Sequence, residues 1–420
     1  MSACPLDNPA SPVPAAVEVR PLDAFSDRER DLMQLAGLSG LATVEAWRVL
    51  GTSRQLASST HGVFRYFGKF PPPLARHLIQ TLTAPGDRVL DPMAGSGTTA
   101  VEALALRRHA EVRDISPLSA LLCRVKTRHV PRPAADEALA RVVQRRNQPL
   151  SGPPPAPIGL RNPEHWFLPE TTASLASLRA AIEPETEVGV RELLLTAFAS
   201  TVRRVSRATT QQGRLFLDVD KAKADAWPTF LQRFEKYAAA VASLPPEPSV
   251  TLEVREQDAK RPSPASGTFH LAIVHPPYFN NYRYSAINSL ELAWLGFPPK
   301  DVRTDEIREA FKVGKPEKVA DYVQDLAAVV AAVAGQLAPQ ATLALMMGDT
   351  VIRNRYLDVT RQLLTAIADT DAGLRLDRIV LRVPQFTEAS WVASQRRKGD
   401  KVGVTLHDFV LLFSKVGGAA

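Results

Sequence analysis

Residues 269–284, FHLAIVHPPYFNNYRY, decide how the rest of the chain is interpreted. The apolar run 271–274 predicts a buried central strand of a parallel sheet. Pro276 and Pro277 end that strand, because neither can donate a hydrogen bond to a sheet ladder. Their fixed φ angles hold the neighbouring groups just past the carboxyl end of the strand, where ligands bind in open α/β sheets. Taken alone, the stretch is explained equally well as a strand end followed by surface aromatic residues.

A ring and amide groups come directly after this turn. The segment begins with Tyr278 and Phe279 and continues through Asn280, Asn281 and Tyr282. A rigid turn that carries a stacking ring and hydrogen-bonding groups suits the capture of a planar, polar substrate such as a nucleobase.

A second pattern predicts a cofactor site. Residues 87–91 form a predicted strand, a glycine-containing loop follows, and 100–108 form a predicted helix. In this arrangement the backbone approaches a cofactor closely at the amino end of a helix. The spacing differs from G-x-G-x-x-G, which disfavours a dinucleotide. A further strand, 110–113, ends at Asp114, which is placed to accept hydrogen bonds from ribose hydroxyls.

The composition limits the class of protein. With 420 residues the chain exceeds the usual size of one domain, and its net charge of +7 with a pI near 9.5 favours a polyanionic partner. Only Cys4 and Cys123 are present, and no zinc-binding spacing of histidines or cysteines occurs, so no metal site is predicted. The first 20 residues lack a signal-peptide profile, and no apolar run is long enough to span a membrane. These features predict a cytoplasmic protein without a membrane partner.

Three regions follow from the spacing of the predicted elements. Residues 1–60 are predicted to form an N-terminal helical extension, with a helix over 27–58. Residues 119–248 form a mainly helical insertion and a candidate region for target recognition. Arg203, Arg204 and Arg207 lie in this insertion and are predicted to contact DNA, although a solvated basic face explains them equally well. Seven strands are predicted, and the last two form an antiparallel hairpin: 87–91, 110–113, 249–254, 269–274, 341–347, 376–383 and 409–415.

Two motifs together resemble a known family. DPMAGSGTTAVEAL at 91–104 and HPPY at 275–278 resemble the amino-group DNA methyltransferases, which use S-adenosylmethionine. Two further stretches resemble other parts of the family. HGVFRYFGKFPPPLARHLI at 61–79 resembles its cofactor lid, and GDTVIRNRYLDV at 348–359 resembles its fifth-strand region. The resemblance implies an α/β fold of the Rossmann-like class I methyltransferase type, with a seven-stranded, mostly parallel sheet. This catalytic domain would comprise residues 61–118 and 249–417.

The resemblance also implies roles for single residues. The target base would be flipped out of the duplex, His275 and the Pro276 carbonyl would accept its amine hydrogens, and Tyr278 would stack on it. His275 departs from the family's Asp, Asn or Ser, and we expect activity to fall below pH 6.5 as its imidazole becomes protonated. Lys69 and Phe70 would close the lid, and Asp258 would approach the adenine amino group. The full set of predicted cofactor-binding residues is Lys69, Phe70, Asp91, Pro92, Met93, Gly95, Ser96, Gly97, Thr98, Thr99, Asp114, Ile115 and Asp258.

Several functions stay open at this stage. Transfer to N4 of cytosine in double-stranded DNA is favoured, because HPPY lacks the Asp or Asn typical of adenine enzymes. The alternatives are adenine-N6 methylation, RNA guanine-N2 methylation, and a non-catalytic DNA-binding protein on a methyltransferase scaffold. A nucleoid-associated location, a homodimer and a cognate restriction endonuclease complete the expectations.

Overall fold

The computed structural model describes residues 16–50, 53–149, 152–209, 215–221, 223–246, 249–261, 269–279, 283–307, 316–352, 355–382 and 407–416. The strands are β1 (Val17–Pro21), β2 (Thr43–Val49), β3 (Arg88–Asp91), β4 (His109–Asp114), β5 (Leu252–Glu256), β6 (Phe269–Val274), β7 (Leu337–Met347), β8 (Thr350–Ile352), β9 (Arg355–Leu357), β10 (Leu374–Arg382) and β11 (Asp408–Lys415). The helices are α1 (Asp27–Ala36), α2 (Ser53–Leu56), α3 (Pro72–Leu82), α4 (Thr98–Ala105), α5 (Pro117–Thr127), α6 (Arg132–Gln144), α7 (Pro163–Trp166), α8 (Pro169–Ile182), α9 (Val188–Val205), α10 (Ala226–Ala242), α11 (Tyr284–Ile287), α12 (Ser289–Leu295), α13 (Pro299–Asp305), α14 (Val319–Ala334) and α15 (Val359–Ala368).

The described strands form one mixed sheet of nine and a separate pair, β8 and β9. The order in the large sheet is β1-β2-β10-β11-β7-β6-β3-β4-β5. The pairs from β5 through β7 are parallel, whereas β11 is antiparallel to both β7 and β10. The predicted α/β class and the closing hairpin are therefore confirmed. The predicted count of seven is wrong, because β1 and β2 add two strands beside β10.

The N-terminal region differs from the helix predicted over 27–58. Helix α1 ends at Gly37, whose backbone is left-handed with φ +66°, and Gly40 follows with φ +81°. These two glycines turn the chain into β2, which joins the sheet beside β10. Leu32 and Leu35 lie in the short helix, whereas Leu38 and Leu41, at the same helical spacing, lie in the turn before β2.

The strand order creates a switch point between β3 and β6. From β3 the chain winds outward through β4 to β5, and it then returns to the other side of β3 to form β6 and β7. Leu90 of β3 lies opposite Ala272 of β6. The carboxyl ends of these two buried strands therefore lie side by side, and ligands bind at such a point in doubly wound sheets.

Helices dominate the stretch between β4 and β5. Its described residues form α5 to α10, and α9 packs against α8, α10 and α12. Leu193, Ala197 and Val202 of α9 are fully buried in the apolar core that these helices share. The division into an insertion at 119–248 and a catalytic domain stays a proposal.

Candidate active site

A cavity of about 250 Å³ lies at the switch point between β3 and β6. Both predicted motifs contribute to its wall, so the glycine loop and the Pro-Pro turn face one space. The predicted residues that line it are Lys69, Phe70, Asp91, Pro92, Met93, Gly95, Ser96, Thr98, Asp114, Ile115, Asp258, His275 and Pro277. Gly97, Thr99, Pro276 and Tyr278 lie next to lining residues and do not line the cavity themselves.

The glycine loop is shaped by two carboxylates. The Met93 amide donates to Asp91 Oδ1 at 3.0 Å, and the Gly95 amide donates to Asp114 Oδ2 at 2.8 Å. The Ser116 amide donates to the second Asp114 oxygen at 2.9 Å. Gly95 has φ +50°, a conformation that L side chains rarely adopt. Asp114 thus ties the loop after β3 to the end of β4.

Both carboxyl groups are held in a desolvated position. Burial raises the pKa of Asp91 to about 7, against hydrogen bonds from Thr99 and the Met93 amide that act in the opposite direction. Burial also raises the pKa of Asp114 to about 6, again partly offset by its hydrogen bonds to backbone amides. Two buried carboxyls that titrate near neutral pH at one cavity are typical of a functional site.

The predicted lid segment borders the cavity just before α3 begins, through Tyr66, Gly68, Lys69 and Phe70. Thr98 Oγ1 donates to the Phe70 carbonyl at 3.1 Å, which attaches the lid to the glycine loop. Lys69 Nζ donates to the His61 carbonyl at 3.2 Å, and burial lowers its pKa to about 8. Tyr66 stacks on Tyr284 with ring centroids 5.4 Å apart. The lid therefore contacts both the glycine loop and the segment that follows the Pro-Pro turn.

His275 lines the cavity beside the lid residue Phe70. Its ring centroid is 5.2 Å from that of Phe70 and 5.5 Å from that of Tyr278, which meets it edge to face. Burial, together with the nearby Arg382 guanidinium, lowers the pKa of His275 to about 3. This pKa does not support the expectation that protonation of His275 reduces activity below pH 6.5. With a pKa of about 3 the desolvated imidazole is neutral near neutral pH.

Tyr278 is fixed by contacts outside the cavity. A Cβ atom placed on Gly348 would lie 2.7 Å from Tyr278 Cδ2, so the ring packs directly on the backbone after β7. The preceding turn is held by Tyr322, whose hydroxyl donates to the Pro277 carbonyl at 2.8 Å. Two separate elements, β7 and α14, thus position the HPPY turn.

Removal of the Tyr322 hydroxyl provides a test of this support. Tyr322→Phe is expected to lower the free energy of unfolding by about 1–3 kcal/mol, because it leaves the Pro277 carbonyl without this donor. The methyl transfer that the resemblance implies should fall by roughly threefold to tenfold, while the cofactor dissociation constant stays within about twofold of wild type. Denaturant unfolding, steady-state kinetics and calorimetric titration measure these quantities. Equal loss of turnover and cofactor binding would contradict a role confined to the turn.

One part of the cavity lining was not predicted from the sequence. Residues 302–307 complete it, and Glu306 accepts hydrogen bonds from the Ser285 amide and hydroxyl, both at 2.7 Å. Burial raises the pKa of Glu306. The further lining residues that sequence analysis missed are Tyr66, Gly68, Ala94, Ser116, Gln257, Ala259, Arg283, Tyr284, Val302, Arg303, Thr304, Asp305 and Ile307. Neither spacing nor composition marks this segment, which only the fold brings to the cavity.

The predicted DNA-contacting residues are not all at the surface. Arg203 is 8% exposed, and its Nε donates to the Thr209 carbonyl at 3.1 Å, which does not fit the predicted contact with DNA. Arg204 is exposed and Arg207 is partly exposed. Phe279 is buried and packs edge to face on Tyr322, so it supports the turn instead of facing a base. Three predicted residues lie outside the described part of the chain: Asn280, Asn281 and Tyr282.

The described residues contain neither a metal-binding cluster nor a membrane-spanning helix. No group of three or more His, Cys, Asp or Glu side chains is arranged to hold a metal ion. None of the described helices has the length and apolar character needed to cross a membrane.

Comparison with known proteins supports the resemblance. Residues 37–119, which include β2, the lid and the glycine loop, match the family described as DNA methylase, of the N6/N4 type. Within this segment the chain is similar to the N6/N4 DNA methylase family. The predicted resemblance is thereby confirmed, and S-adenosylmethionine is supported as the cofactor.

Two curated relatives extend the match. The chain is 23% identical to the type II methyltransferase M.MvaI of Kocuria varians over 292 residues, which cover 62% of this chain and 63% of the relative. It is 33% identical to the type II methyltransferase M.MjaII of Methanocaldococcus jannaschii over 75 residues, covering 18% of this chain and 14% of the relative. The chain thus spans less than two thirds of either relative.

Solved structures are more distant. TrmN from Thermus thermophilus aligns with 83% of this chain and 50% of its own, at 13% identity and a TM-score of 0.33. The cyclase SpnF aligns with 88% and 98% of the two chains, at 9% identity and a TM-score of 0.35. Such scores support no conclusion about this protein.

The cavity lining contains the side chains predicted for S-adenosylmethionine. Asp114, Asp258 and Lys69 all line it, and their contacts to the ribose, the adenine and the methionine carboxylate stay predictions. A Cβ on Gly97 of the glycine loop would lie 3.1 Å from Cys123 Sγ, so the loop needs glycine there.

Proposed function

We propose that this protein transfers a methyl group from S-adenosylmethionine to an exocyclic amine of a base flipped out of double-stranded DNA. The observation that carries the proposal is the shared cavity, which is lined by Asp91 and Asp114 and also by His275 and Pro277. A cofactor held by the two carboxylates would present its methyl group to the HPPY turn. The match of residues 37–119 to the DNA methylase family supports DNA as the substrate.

The chain's own residues have defined tasks in this reaction. Bound S-adenosylmethionine supplies an electrophilic methyl group on its sulfonium. The neutral His275 imidazole and the Pro276 carbonyl accept the two hydrogens of the target amine, which favours a pyramidal nitrogen with an available lone pair. Tyr278 stacks on the flipped base and holds it beside the turn.

Cytosine N4 is the proposed target atom, and adenine N6 is the alternative. A neutral imidazole accepts through one nitrogen only, so the turn offers a different acceptor from the Asp or Asn of the adenine pattern. The Rossmann-like class I assignment is part of the same proposal and is supported by the β5-β4-β3-β6-β7 order. A homodimer, a partner endonuclease and a nucleoid location stay predictions.

Methyl transfer to defined nucleic acids tests the proposal. We expect the purified protein to label duplex DNA from S-adenosylmethionine with a methyl-labelled sulfonium and to leave RNA unlabelled. Mass analysis of digested nucleosides should then find N4-methylcytosine. N6-methyladenine would select the alternative base, labelled RNA would select the guanine-N2 activity, and cofactor binding without any transfer would select the non-catalytic protein.

The pH dependence should separate cofactor binding from turnover. At saturating cofactor we expect kcat to stay level between about pH 8 and about pH 5.5, because His275, with a pKa of about 3, stays neutral. The KM for S-adenosylmethionine should rise about tenfold over the same fall in pH, because Asp91 and Asp114 titrate near 7 and 6 and lose their charge. Initial rates across this range provide the measurement. A decline of kcat with a midpoint near 6.5 would reinstate His275 as the titrating group.

A further inference from the structure

A short antiparallel ribbon lies between α9 and α10. Ala208 pairs with Leu217, the Thr209 amide donates to the Phe216 carbonyl at 2.9 Å, and the Asp218 amide donates to the Arg207 carbonyl at 2.8 Å. Residues 207–209 therefore run beside 216–218 as two strands.

The two faces of this ribbon differ in character. Because side chains alternate along a strand, Ala208 and Leu217 share one face, and Arg207, Thr209, Phe216 and Asp218 share the other. Ala208 is fully buried in the helical core, whereas the Phe216 side chain is 48% exposed. The ribbon thus turns a large aromatic ring outward, beside one basic and one acidic residue that are partly exposed.

The base of the ribbon is clamped by two buried or partly buried cations. Lys221 Nζ donates to the carbonyls of Arg203, Ser206 and Ala208 at 3.0, 2.6 and 2.7 Å. Arg203 Nε donates to the Thr209 carbonyl. Two basic residues of this region are therefore used to fix the backbone of the ribbon, which explains why Arg203 is inside the protein.

The same clamp connects the ribbon to the walls of the cavity. The Arg203 guanidinium carbon is 4.9 Å from the centre of the Phe67 ring, and its NH1 donates to the Ile287 carbonyl at 3.4 Å. Phe67 lies between Tyr66 and Gly68, which line the cavity, and Ile287 ends the helix that begins at the lining residue Tyr284. The Arg203 side chain therefore contacts both the ribbon and two segments that line the cavity.

The sequence around the ribbon has an excess of basic residues. Between positions 203 and 223 there are six basic and two acidic residues; Arg203 and Lys221 form the clamp, and Arg204, in the last turn of α9, is exposed. An exposed ring near an exposed basic side chain matches the two parts of DNA, since cations contact phosphates and apolar side chains contact bases.

We propose that this ribbon is the element that reads duplex DNA, with Phe216 as a contact to the bases and Arg203 as the positioning residue of the ribbon. A two-stranded ribbon fits the major groove, where base edges distinguish one sequence from another. The inference rests on the proposed function, because it assigns the sequence selectivity of that reaction to one element of the fold.

The test compares three single variants on DNA whose methylated sites are mapped by modification-sensitive sequencing. Phe216→Ala is expected to lower kcat/KM on the preferred site about tenfold or more and to broaden the set of methylated sequences. Its affinity for S-adenosylmethionine and its unfolding temperature should match wild type, because the ring is half exposed. Leu35→Ala removes a side chain with similar exposure, 49%, on distant α1 and should change nothing. Arg204→Ala should weaken binding evenly across sequences and reduce the salt dependence of DNA affinity.

The outcomes separate the two proposals. Methylation of DNA by wild type with unchanged selectivity and kcat/KM in Phe216→Ala overturns the ribbon assignment and leaves the activity intact. A wild-type protein that methylates no duplex DNA overturns the proposed function and the ribbon assignment with it. Loss of cofactor affinity in Phe216→Ala would show that the ring acts on the fold, which also overturns the assignment.

Discussion

Asp114→Ala is expected to raise the dissociation constant for S-adenosylmethionine about 100-fold or more. The carboxylate accepts hydrogen bonds from the Gly95 and Ser116 amides and is placed to accept those of the ribose. Each charge-assisted bond contributes about 1.5–3 kcal/mol, so loss of the carboxylate both removes ligand contacts and frees the loop. Calorimetric titration of the apo-protein with the cofactor provides the measurement.

Two further variants make this result specific. Asp114→Asn keeps the shape of the side chain and one acceptor oxygen, so its affinity should lie between wild type and alanine. Asp136→Ala removes an exposed carboxylate from α6 and should bind the cofactor like wild type. If Asp114→Ala binds within about threefold of wild type, the ribose contact is made elsewhere on the cavity wall.

Tyr278→Ala is expected to lower methyl transfer by about 100-fold while the cofactor still binds. Base–aromatic stacking contributes about 1–3 kcal/mol, and the ring also holds its edge against His275. Single-turnover rates on duplex DNA and cofactor titration give the two readouts. Tyr278→Phe preserves the ring and should keep most of the activity.

Gly348→Ala examines the same ring without altering it. The added Cβ would lie 2.7 Å from Tyr278 Cδ2, so the ring must shift. We expect turnover to fall in the same direction as in Tyr278→Ala and cofactor affinity to stay near wild type. If both Tyr278→Ala and Gly348→Ala lose cofactor binding as well, the ring supports the fold and does not stack on the base.

Local patterns in the sequence predicted most of the sheet and half of the cavity. Runs such as 271–274 identify buried strands because continuous apolar residues suit a sheet that is covered on both faces. The glycine loop and Asp114 were placed correctly because strand, loop and helix are adjacent in the chain, so their geometry is local.

The remainder depends on contacts between distant segments. Residues 302–307 reach the cavity only through tertiary packing, with Glu306 bound to Ser285. Arg203 and Arg204 are adjacent in the same basic stretch of sequence. Arg203 is nevertheless buried against the Phe67 ring, whereas Arg204 is exposed. In the N-terminal region, the leucines before and after Gly37 recur at a helical spacing, which predicted one long helix. The left-handed Gly37 ends that helix instead. A one-dimensional pattern cannot distinguish these cases.

The pairing of β2 with β10 has a consequence for synthesis of the protein. Ala46 lies opposite Leu381, so two stretches more than three hundred positions apart become neighbours only after the ribosome has made the long stretch between them. Until then β2 has no partner on that side and remains open to pairing with other nascent chains. Production yield should therefore respond strongly to slower translation, lower temperature or added chaperones.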